Sequence, residues 1–166
     1  MADVNAALAG SRAALEEMVT AAASCAASWT VPRAPGKWSP SQLTEHVARA
    51  LEESAQVVAG RPSKFPTFPS FVRPLVRGLF FNRVLKKGAF PKARTTRPFD
   101  PDTGPASPAD AKERLEAAHA RFDEACRARD RDGGKVQSTI FGGVSVADYV
   151  RFQELHTRNH RRQLPA

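Results

Sequence analysis

The chain has few of the features that build disulfide-bonded, redox or membrane-spanning proteins. Its only two cysteines, Cys25 and Cys126, lie far apart in the 166 residues and form no metal-binding or redox motif. We interpret them as buried free thiols in a reducing cytoplasm. No run approaches the roughly 18 apolar residues that a membrane span requires. The N-terminus lacks a basic start, and Glu16 and Glu17 interrupt the first apolar stretch, so we expect no signal peptide.

Acidic residues are missing from one long segment. Between Arg61 and Phe99 the sequence has ten Lys or Arg residues and no Asp or Glu, while the whole chain has a formal net charge of +8. Seven of the ten phenylalanines lie there too. Three interpretations remain open: a covering segment docked by its phenylalanines, recognition of a small anionic substrate, and binding to an anionic membrane or nucleic acid. The first is favoured and predicts that Phe71, Phe80 and Phe81 are buried, because exposed phenylalanines would promote association.

Four stretches of the sequence have the periodicity of amphipathic helices. Their predicted bounds are 3–27, 40–59, 108–129 and 145–163, with a short extra helix within 70–87. Ser39, Ser107 and Ser145 are the predicted N-caps of the last three, and Gln42 completes a capping-box pattern with Ser39. Helices with one apolar face pack against one another, so the sequence predicts an all-α four-helix bundle in a single domain, 1–166. A long crossover connection, rich in proline, joins the second helix to the third.

Three of the four histidines lie on the predicted inner faces of two helices. His46 follows Leu43 by three positions in the second helix, so it projects with the apolar stripe. His156 and His160 are one helical turn apart in the last helix. Neutral imidazole binds zinc, nickel and similar ions, and three protein ligands leave a position open for water or substrate. By spacing alone, however, hydrogen-bonded core histidines are the more common explanation.

Other polar residues near these positions have weaker cases. His119 borders the apolar stripe of the third helix and is predicted to be a packed histidine rather than a ligand. Glu45 is predicted to face outward, and Glu154 lies on a different side of its helix from the histidine pair. Tyr149 and Gln163 share the face of the histidine pair and are candidates for contacts to the ligands or the substrate. Core packing of Tyr149 and a solvated Gln163 are equal alternatives.

Two sequence segments together carry a resemblance to a known family. They are "GKWSPSQLTEHVARAL", which contains His46, and "HTRNHRRQ", which contains His156 and His160. The pair resembles the DinB/YfiT-like family of proposed metalloenzymes, in which a tryptophan-serine start leads into a helix with one histidine and the last helix carries His-x-x-x-His. The four helices and the long second-to-third connection agree as well, so the resemblance covers most of the chain. It implies a DinB-like bundle with an open three-histidine site for a divalent transition metal, zinc or nickel.

The resemblance also implies a class of reaction. Characterised relatives include transferases and isomerases that use low-molecular-weight thiols, so we expect a cytoplasmic, metal-dependent transferase or hydrolase. Its partner would be a small substrate, in particular an anionic low-molecular-weight thiol. Because no inner general base is evident, a metal-bound water or thiolate would act as the nucleophile. The alternative is a non-catalytic DinB-like module that binds a metal or ligand, or binds a polyanion through its basic surface. We expect no specific nucleic acid partner and no membrane span, and a homodimer remains open.

Overall fold

The computed structural model describes residues 3–91 and 95–165, and most of these are helical. The helices, in chain order, are α1 (Val4–Ala23), α2 (Pro40–Val58), α3 (Arg73–Val76), α4 (Asn82–Lys87), α5 (Pro108–Arg131) and α6 (Val146–Arg161). A π-helical turn, Arg77–Phe81, joins α3 to α4 without a break. Short 3-10 turns occur at Ala26–Ser28 and Arg97–Phe99, and two strands, β1 (Val136–Ser138) and β2 (Gly142–Val144), precede α6. The helices therefore begin close to their predicted starts, but α1 ends earlier than predicted.

Serine side chains fix the starts of α2, α5 and α6, as predicted. The hydroxyl of Ser39 accepts a hydrogen bond from the backbone N–H of Gln42, whose side chain in turn accepts from the N–H of Ser39. Ser107 and Ser145 cap α5 and α6 in the same way, each accepting from a backbone N–H three residues on. Because such caps satisfy N–H groups that have no partner within the helix, they set the first turn of each helix locally.

The four long helices form a bundle around one hydrophobic core. The most extensive packing is of α1 against α6 and of α2 against α5, while α1 also packs on α5. Large side chains buried in this core include Leu15, Met18, Leu51, Leu115 and Phe122. Helices α2 and α6 approach each other less closely, which leaves room between them for polar side chains. The predicted all-α four-helix bundle with a long crossover connection is confirmed. Within the described residues, no helix is both long and apolar enough to cross a membrane.

Ion pairs join α2 to α5 across their outer edge. Arg114 donates two hydrogen bonds to the carboxylate of Glu52, at 2.6 and 2.7 Å, and a third to Glu45 at 3.2 Å. The hydrogen bonds from Arg114 lower the pKa of Glu52. Glu45 lies on this outer edge, so the prediction that it faces outward holds in direction, but its carboxylate is largely shielded because it bridges Arg114 and Arg49. The spacing of residues in α2 gives no indication of this partner, because Arg114 comes from a different helix.

A two-stranded antiparallel hairpin, which the sequence did not predict, precedes α6. Val136 pairs with Val144, and Ser138 pairs with Gly142. The Ser138 hydroxyl accepts hydrogen bonds from two backbone N–H groups of the turn, and Gly142 adopts a positive φ of 73° that favours glycine. Val136 is fully buried, and β1 packs on α2. The hairpin is therefore a cover on the bundle and does not replace its helical core.

The crossover connection is docked on the bundle by some of its phenylalanines. Phe81 is 1% exposed and Phe99 is buried, while Phe80 and Phe90 are half-buried and pack against Phe152 of α6. The docking prediction is thus confirmed for Phe81 and holds in part for Phe80. It is wrong for Phe71, which is 82% exposed. Two of the basic residues counted in this connection, at positions 92 and 94, lie outside the described residues.

Candidate metal centre

Three imidazole rings, one from α2 and two from α6, meet between these helices. The Nε2 atom of His156 lies 3.2 Å from Nε2 of His46 and 3.1 Å from Nε2 of His160. One ring nitrogen from each histidine lies within 4.8 Å of the other two, and such a group could hold a metal ion. In the part of the chain that the structure describes, no carboxylate or thiol belongs to this group. The structure therefore brings together the three histidines that the helical spacing had placed on inner faces.

The three rings cannot all form good hydrogen bonds with one another in this arrangement. The Nδ1 atom of His46 donates to the backbone carbonyl of Phe99 at 2.7 Å, so Nε2 of a neutral His46 carries a lone pair. Nε2 of His156 has a neighbouring nitrogen on each side, and one proton there cannot make two good hydrogen bonds. Nδ1 of His160 is buried and has no hydrogen-bond partner. Without a cation, at least one of the two short contacts between Nε2 atoms would lack a good hydrogen bond in a largely buried place, which is unfavourable.

Burial keeps the three rings neutral. Desolvation lowers the pKa of His46, and the hydrogen bond to Phe99 and the charge of Asp100 oppose this only in part. Desolvation lowers the pKa of His160 to about 3. It also lowers the pKa of His156 well below its ordinary range, with further contributions from its two histidine neighbours. At neutral pH each ring therefore has a lone pair available for a metal.

The distances between the nitrogens fit one shared ion. Nitrogens at about 2.1 Å from a common zinc would be about 3.0 Å apart for a right angle and about 3.4 Å apart for a tetrahedral angle. The two measured Nε2 separations, 3.1 and 3.2 Å, lie between these values. The ligand nitrogens of the third pair, His46 and His160, lie within 4.8 Å of each other. The donor set therefore suits a divalent transition metal, with adjustment of the rings where this third distance requires it.

Aromatic side chains flank the three histidines on two sides. The Trp38 ring lies 4.7 Å from the His46 ring, between ring centres, and the Phe90 ring lies 5.5 Å from the His156 ring. The indole N–H of Trp38 donates to Asp100 at 3.0 Å. Because Trp38 precedes α2 while Phe90 and Asp100 belong to the crossover connection, the connection completes the walls of the site.

The end of the crossover connection is tied to the start of α2 by backbone carbonyls. Gln42 donates to the carbonyl of Pro101 at 2.9 Å, and the hydroxyl of Ser41 donates to that of Pro105 at 2.8 Å. Gly104 lies so close to α2 that a Cβ atom there would be 2.2 Å from the backbone oxygen of Ser41. These contacts hold residues 99–105 beside His46. Sequence reasoning missed the Phe99 carbonyl and Asp100, because neither belongs to a recognisable motif.

The structure separates the two residues predicted to contact the ligands or the substrate. Gln163 lies beside His160, where its side chain acts to raise the pKa of that histidine, and it also donates to the Asn159 carbonyl at 3.4 Å. Tyr149 lies in the core instead, with its hydroxyl 3.5 Å from that of Ser54. Burial raises the pKa of Tyr149 to about 12. Only Gln163 is thus brought to the histidine group.

His119 and Glu154 are placed away from the three histidines, as predicted. His119 is buried between α1 and α5, where Nε2 lies 3.2 Å from the Ser11 hydroxyl. Glu154 is buried but accepts hydrogen bonds from Arg151 and Arg158. The interpretation of His119 as a packed histidine rather than a ligand is therefore confirmed.

The fold and the site together define a four-helix bundle with a three-histidine group between its second and last helices. The family model of the DinB superfamily matches residues 7–164, which is nearly the whole chain. The chain therefore belongs to the DinB superfamily, and the resemblance seen in its sequence is confirmed. No curated protein and no solved structure matches it.

Proposed function

We propose that this chain is a metal-dependent enzyme in which His46, His156 and His160 hold a divalent transition metal, zinc or nickel. The observation that carries the proposal is the meeting of three imidazole nitrogens, one from each histidine, all within 4.8 Å of one another. A cation would satisfy all three lone pairs at once. Hydrogen-bonded core histidines, the common alternative, would leave Nε2 of His156 between two ring nitrogens, where it cannot form a good hydrogen bond with both.

The donor set favours an open centre that accepts an anionic ligand. Three protein ligands are fewer than the four that zinc takes in closed structural sites. Since all three are neutral imidazoles, the charge of the ion would not be cancelled by its ligands. Bound there, a divalent ion would act as a Lewis acid and lower the pKa of a coordinated water or thiol. We therefore propose an anionic low-molecular-weight thiol as substrate and thiol-dependent transfer or hydrolysis as the reaction, in line with the family resemblance.

The residues around the histidines have separate roles in this proposal. The Phe99 carbonyl fixes the His46 ring so that Nε2 faces the other histidines. Trp38 and Phe90 limit the access of water from two sides. Gln163 is positioned to accept a hydrogen bond from Nδ1 of His160 after a rotation of its amide. For Tyr149, whose hydroxyl faces Ser54, core packing is the favoured role.

Asp100 is the proposed proton acceptor beside the centre. It is the carboxylate whose charge raises the pKa of His46, and Trp38 holds its Oδ1 atom at 3.0 Å. An ionised carboxylate in this position could take the proton that a substrate thiol releases. Asp100→Asn keeps the hydrogen bond from Trp38 and removes the charge. It is expected to slow turnover while leaving the metal affinity within about threefold.

Cobalt(II) loading tests whether the centre is open and binds thiols. The visible spectrum of the cobalt-loaded protein is recorded while low-molecular-weight thiols are added one at a time. The proposal predicts a saturable change with a new thiolate-to-cobalt band for at least one thiol. The matched control, His119→Gln, removes a buried histidine outside the centre and should respond like the parent.

A cobalt spectrum that no thiol or other anion changes would contradict the proposal. The chain would then be a non-catalytic metal-binding module, which is the alternative function. Where a thiol binds, turnover is measured for the zinc and nickel forms with a panel of electrophilic and thioester acceptors. Failure of every acceptor, despite thiol binding, would overturn the catalytic part and leave metal binding standing.

A further inference from the structure

A row of large apolar side chains points into solvent from the crossover connection, in its helical part and in the turn just before it. Phe71, Leu75 and Leu79 are 82%, 62% and 68% exposed. They are three of the four large apolar residues that are exposed in the described parts of the chain, and the fourth, Val31, lies elsewhere. The largest exposed apolar patch on a monomer is often functional.

Leu75 and Leu79 point to one side of the helix, and Phe71 lies in the turn that immediately precedes α3. Four residues on an α-helix advance the side-chain direction by about 40° beyond a full turn. The π-helical turn from Arg77 to Phe81 has more residues per turn than an α-helix, so each residue in it rotates the side-chain direction by a smaller angle. The four residues from Leu75 to Leu79 therefore complete close to one full turn, and the two side chains point the same way. The opposite side is buried, since Phe81 and Val84 pack into the core. The helix therefore has one face docked on the bundle and one apolar face that is free.

Exposed basic residues follow this apolar row along the same helix. Arg83, Lys86 and Lys87 are exposed, and no acidic residue occurs between Arg61 and Phe99. Two other arginines are used internally: Arg73 donates to the carbonyl of Phe68, and Arg77 donates to that of Gly143 in the hairpin. These two bonds fix the helix on the bundle, while the other three charges are free to meet an anionic surface.

An apolar groove of about 190 Å³ adjoins the end of the row. Its lining is formed by Leu79, Phe80, Val84, Ala89, Phe90 and Pro91, together with Arg83 and Lys87. Apolar lining beside two cationic side chains is complementary to an amphiphile with an anionic head and an apolar chain.

We propose that Phe71, Leu75 and Leu79 dock on an anionic lipid surface, with Arg83, Lys86 and Lys87 against the lipid phosphates. The helix lies flat in the plane of the interface and inserts only its apolar row. Association of this kind is reversible and depends on salt, because the basic residues contribute through screened charge interactions.

Area and charge favour lipid over a protein partner. At about 200 Å² for a large side chain, the exposed fractions give the row an area on the order of 400 Å². A specific protein interface covers about 800 Å² on each partner, whereas shallow insertion into lipid requires no matching shape. A second copy of this chain would bring its own Arg83, Lys86 and Lys87 close to the same charges, and like charges oppose that pairing.

Vesicle cosedimentation tests the proposal on the full chain. Vesicles of phosphatidylglycerol and phosphatidylcholine in equal parts are compared with vesicles of phosphatidylcholine alone. The parent is expected to bind the anionic vesicles at least tenfold more tightly, and to lose most of this binding in 0.5 M salt. The variant Phe71→Ser, Leu75→Ser, Leu79→Ser should lose at least tenfold in affinity. Val31→Ser changes the one other large apolar residue that is exposed in the described ranges, and it should bind like the parent.

A charge variant tests the three basic residues separately from the apolar row. Arg83→Gln, Lys86→Gln, Lys87→Gln should also lose at least tenfold on anionic vesicles, because each charge contributes about fivefold. All the changed side chains are exposed, so circular dichroism should show unaltered helix content in both triple variants. The proposal is overturned if the parent binds neither vesicle, or if the serine variant binds like the parent. It is also overturned if light scattering shows a parent dimer that the serine variant converts to a monomer.

Discussion

Nδ1 of His46 donates a 2.7 Å hydrogen bond to the backbone carbonyl of Phe99. A histidine on α2 is thereby oriented by a segment that enters the fold much later along the chain. The Phe99 side chain anchors that segment, since it is buried and its ring stacks on Phe65 at 4.6 Å. The docking of the crossover connection and the orientation of the proposed metal ligand are therefore coupled.

Removing the Phe99 anchor should weaken the metal centre. Phe99→Ala keeps the backbone carbonyl that accepts the hydrogen bond from His46, but it removes the buried ring that positions this carbonyl. We expect zinc affinity to fall by about 10–100-fold and the free energy of unfolding to fall by about 3 kcal/mol. Both are measured, by zinc competition titration and by urea unfolding. Phe71→Ala, which changes an exposed phenylalanine of the same connection, should alter neither, and a folded Phe99→Ala variant with parental zinc affinity would disprove the coupling.

Replacing either of two glycines in the same connection by alanine should have different effects on the free energy of unfolding. A Cβ at Gly104 would lie 2.2 Å from the Ser41 backbone oxygen, which cannot move without distorting the start of α2. We expect Gly104→Ala to lower the free energy of unfolding by about 1–3 kcal/mol. A Cβ at Gly78, in the π-helical turn, would meet no atom within 4 Å, so Gly78→Ala should be neutral or stabilising by up to about 1 kcal/mol. Equal effects in urea unfolding would show that residues 99–105 are not packed on α2.

His119 should make the metal-free protein less stable in acid. Burial lowers its folded-state pKa below the ordinary value of about 6.5, although the charges of Asp123 and Glu16 oppose the shift. Below about pH 6.5, His119 is therefore protonated in the unfolded chain but stays neutral in the folded chain. The free energy of unfolding consequently falls as the pH falls. One such proton contributes a slope of about 1.4 kcal/mol per pH unit.

The variant His119→Gln isolates this contribution. Glutamine can keep a hydrogen bond to Ser11 but does not titrate in this range. Urea unfolding of the metal-free parent and variant at pH 7 and pH 5 should show a smaller loss of stability for the variant. The three histidines of the proposed metal centre remain in both proteins and cancel in the comparison. Equal losses would mean that His119 is protonated in the folded state at pH 5.

The helices and the histidine group could be predicted because their signals are local. Apolar residues at helical spacing and serine caps determine α2, α5 and α6 with little help from the rest of the chain. The hairpin could not be predicted in this way, since β1 and β2 have three residues each and depend on burial of Val136 against α2. Phe71 was predicted to be buried from its residue type, but the face on which it lies depends on how the whole helix docks.

Only the histidine side chains of the site could be predicted from the sequence. The inward direction of His46 follows from the apolar stripe of α2, and the pairing of His156 with His160 follows from one helical turn. The Phe99 carbonyl is a backbone group and leaves no sequence signal. The shielding of Glu45 could not be predicted because its partner, Arg114, lies on another helix. Contacts between distant segments thus determine what surrounds the histidines, and sequence spacing carries no information about them.

Zinc binding by matched histidine variants tests the central claim most directly. Protein is purified without chelator and without a histidine tag, its metal content is measured, and the metal-free form is titrated against a zinc-competing dye. The parent should bind one zinc per chain, and the variant His46→Ala, His156→Ala, His160→Ala should lose more than the 10–100-fold that removal of a supporting residue costs. His119→Ala, which removes the remaining histidine, should retain parental affinity. A triple variant that binds zinc as tightly as the parent would contradict the account.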